Sequence, residues 1–293
     1  MKAPIIQVIV GPTAVGKTAY AIEVALKNNG EVVSADSRQV FKELNIGTAK
    51  PSREELAAVP HHFIDEKSLV EPFSAGIFAE EANVRLTEII ARGKNPILCG
   101  GSTLYVQALV QGLAEVPAVN PEVRTNLMAE LEERGHLALY EELQQADPVF
   151  AQSLDPTKSQ RLLRGLEVFR GTGKPISYFH QRQTKPTFEF EVTVLTRNRA
   201  VLYERINQRV EVMLKDGLLE EVQGLLVAGY SPEINALKTI GYQEPISYLA
   251  GEMSYERMVI LLKQNTRHYA KRQITWFKRF SHHKTLDEQN NSA

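Results

Sequence analysis

Eight consecutive residues near the N-terminus, Gly11-Pro12-Thr13-Ala14-Val15-Gly16-Lys17-Thr18, have the types and spacing G-x-x-x-x-G-K-[ST]. They could hold a polyphosphate. Glycines let such a loop turn until successive backbone N–H groups point into one space, and the N-terminus of a following helix adds partial positive charge. Lys17 would reach the terminal phosphate, and the Thr18 hydroxyl could ligate Mg²⁺. A plain glycine turn would require neither residue. The loop reads the polyphosphate and not the group attached to it, so an NTPase is the default reading. Yet the chain has no N-K-x-D block, and its apolar run Pro96–Cys99 ends in Gly100-Gly101 in place of the acid a hydrolase uses for its metal. Phosphoryl transfer is not required.

A second cluster follows: Glu31-Val32-Val33-Ser34-Ala35-Asp36-Ser37-Arg38-Gln39 sets an acid, a hydroxyl, a guanidinium and an amide after a short β run. The carboxyl ends of parallel strands are where open α/β sheets hold ligands. Asp36 could be a general base or a Mg²⁺ ligand, and Gln39 could bond an adenine edge in the two-point manner of amides. The plainer reading makes Asp36 a cap for the next segment. Gly100-Gly101-Ser102-Thr103-Leu104-Tyr105 stands in the same relation to its own β run, so its hydroxyls either face the same crevice or cap a helix. His61-His62 has no third ligand at metal spacing and reads as structural. Arg205 and Arg209, four apart, share one helix face, pointing to the site or into surface ion pairs.

The elements that must position these groups follow from periodicity. Ile5–Val10, Glu31–Asp36 and Pro96–Cys99 read as strands, with a helix from about Lys17 between the first two. An amphipathic helix is expected from the cap Ser74 to Arg92, with Ile77, Phe78, Val84, Ile89 and Ile90 as its stripe and Gly93 as its stop. From Val116 the texture is helical and without β runs, and Phe188–Thr196 alternates like a strand returning to the sheet. Helices over Ala200–Lys215, Leu218–Val227 and Ser254–Phe280 complete the chain. The fold class is therefore α/β, a P-loop NTPase-like parallel sheet core flanked by helices, with an inserted helical lobe. The expected divisions are 1–115 and 188–286 for the core, 116–187 for the lobe, and 287–293 as a disordered tail.

The length of 293 residues suits such a core plus a smaller lobe. One cysteine, Cys99, excludes an internal disulfide and a zinc cluster of cysteines, as expected of a cytoplasmic protein. The N-terminus has no signal-peptide core, and no stretch is long enough for a bilayer. No interface signal stands out, so a monomer is expected. The net charge of −1 hides two basic windows. Lys158–Lys185 has seven lysines and arginines against one acid, Glu167, and Arg267–Lys284 has six with no acid. Arginines interleaved with Tyr269, Trp276 and Phe277 suit single-stranded loop RNA; the plainer reading, favoured for Trp276 and Phe277, makes the aromatics core and the basic residues a solvated helix face.

The ordered set GPTAVGKT, ADSRQVF, IGTAKP, VPHHFID, GGSTLY, QRLLRGLEVFRGTGKPIS, LKTIGYQE and TRHYAKRQITWF resembles the tRNA dimethylallyltransferase (tRNA isopentenyltransferase) family through Phe277. The resemblance implies transfer of a dimethylallyl group from dimethylallyl diphosphate to the exocyclic N6 of the adenosine just 3′ of the anticodon, in tRNAs reading U-initial codons. Diphosphate is released. It also implies that Gly11 through Thr18 hold the donor diphosphate with Mg²⁺, joined by Arg209, and that Lys17, Asp36 and Ser102 are catalytic. Asp36 would take the N6 proton while Asp36-Ser37-Arg38-Gln39 contact the flipped-out adenosine. The family usually has threonine where Ser102 stands, so Ser102 is expected to take that role, with Thr103 in reserve. Gly165 replaces a common alanine, at an expected cost in helix propensity only. The tRNA anticodon stem-loop, the implied partner, would be held by Gln160-Arg161-Leu162-Leu163-Arg164, by Arg124, and by Lys271, Arg272, Gln273 and Trp276.

Three other readings stay open on the residues alone. A small-molecule kinase would use the P-loop but not the basic C-terminal helix. An isopentenyltransferase acting on free adenine nucleotides would dispense with the tRNA-gripping segments, and a non-catalytic RNA-binding protein would need no pairing of Lys17 with Asp36.

Overall fold

The computed structural model describes residues 4–182 and 184–286. The tail expected to be disordered, 287–293, lies outside the described residues. The chain divides into two compact units, one running to Val110 and resuming at Thr187, the other spanning Gln111–Pro186.

The first unit opens with β1 (Ile5–Val10), α1 (Lys17–Lys27), β2 (Gly30–Ser34), α2 (Arg53–Ala58), β3 (His61–His62), α3 (Ala75–Ala91), β4 (Asn95–Gly100) and α4 (Thr103–Gln111). The second contains α5 (Pro121–Ala146), α6 (Pro148–Gln152), α7 (Ser159–Thr172) and α8 (Ile176–His180). The first then resumes with β5 (Glu189–Thr196), α9 (Arg199–Lys215), α10 (Leu218–Val227), α11 (Gln243–Leu249), α12 (Tyr255–Phe277) and β6 (His283–Thr285). The six strands form one parallel sheet in the order β3-β2-β4-β1-β5-β6. The central strands are apolar runs because both faces are covered: β2 is buried throughout, and β4 from Pro96 onward.

Ile9, Val15, Ala21, Val32, Ile97, Leu195, Leu202, Ile206 and Ala270 share one core cluster in this unit. The buried stripe of α3 is Ala75, Phe78, Ala82, Leu86 and Ile89, whereas Val84 is 60% exposed. The expected stripe was thus wrong at Val84: small alanines at helical spacing let the helix approach its neighbours, and a more hydrophobic residue off that line stays in water. Short elements escaped the periodicity reading, α2, α11 and β6 among them, because they are too brief to show a period.

Sequence texture placed the start of the helical unit five residues late, at Val116 instead of Gln111. Gly112, with φ +82°, ends α4, and the Leu113 carbonyl then accepts the Thr184 N–H and hydroxyl, both at 3.1 Å. A contact 71 residues apart in sequence has no local signature. Leu127, Leu139, Leu143, Phe150, Leu162, Leu163, Leu166 and Val168 form the core of this unit. Gly165 lies inside it: a Cβ there would stand 2.8 Å from Leu143 Cδ1 and 3.0 Å from Phe150 Cδ1. The glycine therefore does more than lower helix propensity, since it sets how closely α7 meets α5 and α6.

Candidate active site

β1 delivers the P-loop at its carboxyl end. Gly16 has φ +107°, which only glycine adopts readily, and is the N-cap of α1. The side chains of Ala14 and Val15 are buried, so at these positions the loop offers backbone alone. Lys17 Nζ donates to the carbonyls of Gly11 (3.1 Å) and Pro12 (2.9 Å). Burial lowers its pKa from 10.5 to about 8; the neighbouring Arg209 charge acts in the same direction, while Cys99 and Asp36 oppose it. The Thr18 hydroxyl makes no hydrogen bond among the described residues and lines the same cavity as Lys17.

β2 and β4 deliver the other half. The Ala35 N–H donates to Cys99 O (2.8 Å) and the Ser102 N–H to Ala35 O (3.2 Å), so the chain segments leaving these strands run side by side. Gly100 permits this, because a Cβ there would lie 2.2 Å from Ala35 O. Ser102 Oγ accepts the Ser37 N–H at 2.9 Å and donates to Ser37 Oγ at 3.3 Å. The Ser102 side chain is turned to the Asp36 block and not to its own helix, and Thr103 is outside the cavity lining.

Asp36 Oδ1 accepts the N–H groups of Arg38 (2.9 Å) and Gln39 (3.2 Å), while Oδ2 has no partner among the described residues. The capping reading is met at one oxygen, which fixes the turn, and the other oxygen is left unpaired on a residue that lines the cavity. Tyr269 on α12 completes the wall, its hydroxyl pushed up to about 12 by burial and by the Asp36 charge. These groups line one cavity of about 1090 Å³ that includes Thr13, Lys17, Thr18, Asp36, Ser37, Ser102, Arg205, Arg209 and Tyr269.

Arg205 Nε donates to Ala14 O at 2.9 Å, bracing the loop from α9. Arg209 makes no hydrogen bond or ion pair among the described residues, and burial followed by the Arg205 charge lowers its pKa. A cation so placed awaits an anion. The surface ion pairs that were the alternative for this pair are absent among the described residues.

Several expected RNA contacts have other partners. Gln273 is 2% exposed; its Oε1 accepts the Thr13 N–H and its Nε2 donates to Gly101 O, each at 2.8 Å. It ties the P-loop to the end of β4 and is no surface contact. Gln39 Nε2 donates to the carbonyls of Thr48 (3.2 Å) and Ala49 (3.0 Å), so its amide holds a neighbouring turn instead of an adenine edge. Arg38 reaches the backbone and side-chain oxygens of Asn235 at 3.2 and 3.3 Å, leaving its buried Nε unpartnered.

In the helical unit, Leu162 and Leu163 are core residues and cannot touch RNA. Gln160 and Arg161 are exposed, and the Arg161 guanidinium lies 5.6 Å from the Phe150 ring centroid. Arg124 and Arg164 both approach Glu167 Oε2, at 3.1 and 3.3 Å, and Arg124 also bonds Gln160. On α12, Lys271, Arg272 and Trp276 line a shallow basic hollow with His268, Thr275 and Arg279. Arg279 stacks on the Trp276 ring at 4.0 Å, while Phe277 is core.

The two histidines part company. His62 bonds Glu31 (2.7 Å) and Arg85 (2.8 Å), as a structural residue should. His61 faces the cavity with a buried, unpartnered Nε2, and no group of three metal-binding side chains occurs among the described residues. His61, expected to be structural like His62, and Tyr269, expected to be an RNA-facing or core aromatic, both line the cavity instead. Burial, which spacing does not show, separates them from their neighbours.

The IPP transferase family model matches residues 39–280. A tRNA dimethylallyltransferase of Salinibacter ruber is 53% identical over 273 residues, covering 93% of this chain and 84% of that protein. A solved tRNA isopentenylpyrophosphate transferase of Bacillus halodurans superposes with a TM-score of 0.70 at 38% identity, over 97% of this chain and 89% of that one. A eukaryotic dimethylallyltransferase captured acting on tRNA superposes with a TM-score of 0.82 at 28% identity, over 98% and 75%. With a P-loop, an Asp36 block and a cavity between them already in place, the chain belongs to the IPP transferase family, beside the tRNA dimethylallyltransferases.

Proposed function

We propose that the protein transfers the dimethylallyl group of dimethylallyl diphosphate to N6 of the adenosine 3′-adjacent to the anticodon in tRNA. The observation that carries this is the shared cavity: Lys17 and Thr18 line it from the end of β1, Asp36 from the end of β2. A holder for a leaving diphosphate and a carboxylate for the attacking amine thus open onto the same space.

The exocyclic amine is a weak nucleophile because its lone pair is delocalised into the ring. Asp36 Oδ2 accepts the N6 proton as the N6–C1 bond forms, and the C1–O bond breaks with its electron pair leaving on diphosphate. The P-loop N–H groups, Lys17 and Arg209 stabilise the charge that develops on that leaving group. Ser102 holds Ser37 and so the turn that carries Asp36.

The donor set fits Mg²⁺, which keeps several waters and takes few protein oxygens alongside substrate phosphates. The unpartnered Thr18 hydroxyl would hold it, and the ion would neutralise diphosphate charge. On one unit the exposed Gln160 and Arg161 and the half-buried Arg164 offer phosphate contacts to tRNA; on the other, taken by itself, Lys271 and Arg272 offer phosphate contacts and Trp276 a stacking face.

The test is incubation with labelled dimethylallyl diphosphate, Mg²⁺ and unmodified tRNA. Label is expected on the adenosine after the anticodon. Label appearing on free AMP and not on tRNA, or ATP turnover without RNA labelling, would sink this reading.

A further inference from the structure

The turn Ile46–Thr48 lines the cavity, yet its backbone N–H groups are gathered from outside it. Glu221 on α10 accepts two of them, Ile46 (2.8 Å) on Oε2 and Gly47 (3.2 Å) on Oε1, together with the N–H of the preceding Asn45 (3.2 Å) on Oε2. The Tyr242 hydroxyl donates to the same Oε1 at 2.7 Å. Tyr242 is fully buried, and burial with the Glu221 charge keeps its hydroxyl protonated, hence a donor. Its ring fills the space over Gly47, where a Cβ would lie 2.6 Å from ring carbons. A half-buried carboxylate with four donors is a built anion socket whose anion belongs to the protein.

The turn so fixed leads back to the reacting group. Its carbonyls at Thr48 and Ala49 hold the Gln39 amide, and the Gln39 N–H in turn bonds Asp36 Oδ1. We propose that Glu221, with Tyr242, is a positioning residue for prenyl transfer: it clamps the Ile46–Ala49 turn, which through Gln39 sets the orientation of the Asp36 carboxylate. This rests on the transfer reaction proposed above. Glu221 is not among the residues lining the cavity, and the P-loop has its own braces, Gln273 and Arg205, so donor binding does not depend on the clamp.

Glu221→Gln keeps size and packing but turns an amide NH₂ toward backbone N–H donors. In the full-length protein kcat is expected to fall about 10²-fold, the cost of misplacing a catalytic group by an ångström, while KM for dimethylallyl diphosphate stays within about twofold. Tyr242→Phe, which removes one donor and keeps the ring, should give a smaller kcat loss of about threefold to tenfold with the same flat KM. A folded E221Q whose kcat is unchanged overturns the proposal, as does a fall in apparent kcat that only follows the loss of folded protein in a thermal melt. If E221Q does not fold, Tyr242→Phe decides alone: a kcat loss supports the clamp and an unchanged kcat overturns it. Failure of the unaltered protein to label tRNA would instead strike the transfer reaction itself.

Discussion

The P-loop and the first turns of α7 were both legible as contiguous blocks, Gly11–Thr18 and Gln160–Arg164, but the structure uses them differently. In the loop the buried side chains of Ala14 and Val15 do not disqualify those residues, because the loop works through its backbone. On α7 the side chains alternate between water and core every few residues, so Leu162 and Leu163 drop out while Gln160 and Arg161 remain exposed. In a loop whose role is carried by backbone groups, side-chain burial does not decide which residues of a contiguous motif take part. On a helix such a motif transfers only by face.

The sharpest way to test the contrast is to strike the loop-built site. Asp36→Ala should lower kcat by about 10²- to 10⁴-fold, the range of general-base catalysis, with tRNA affinity retained. Single-turnover transfer and a filter-binding titration measure the two quantities. Equal activity would leave Asp36 as nothing more than the cap of its own turn.

The helix block then yields a matched pair. Leu162→Ala should destabilise the protein by about 2–5 kcal/mol, as for a fully buried leucine, and should impair tRNA binding only where the helical unit has unfolded. Arg161→Ala should leave the melting temperature within a degree or two, weaken tRNA binding across sequences, and reduce the slope of log K against log salt by about 0.7–0.9. If Leu162→Ala weakened binding in a fully folded protein and Arg161→Ala did not, the division of α7 by face would be wrong.

What sequence could and could not reveal follows the same line. The parallel sheet was readable because β1, β2 and β4 are apolar runs bounded by glycines, and the P-loop because its spacing is local. Gln273 was misread because its block is basic and amphipathic, and nothing local shows that this one amide turns inward to bond Thr13 and Gly101. Glu221 was invisible for the same reason: its partners lie at 45–47 and 242, and only folding brings them together. Gly165 read as a weak helix residue until the neighbours of its missing Cβ were known. Long-range hydrogen bonds and close approaches carry no period.

Lys17 offers the smallest and most specific test of the loop as an anion holder. Burial lowers its pKa to about 8 in the free protein. Because the unfolded chain, at 10.5, binds more protons than the folded one between those values, this group makes ligand-free stability rise as pH climbs from about 8 toward 10.5. A bound diphosphate reverses the local field and raises the pKa, so the complex holds more protons than the free protein. Binding near pH 8 should therefore take up about half a proton per site at Lys17, and affinity should fall as pH rises above 8. Calorimetry of dimethylallyl diphosphate binding in two buffers of different ionisation enthalpy reads that uptake directly. Lys17→Met retains only the titration of the diphosphate itself, so the difference between the two proteins isolates the lysine. The same uptake in both would mean that Lys17 does not meet the diphosphate.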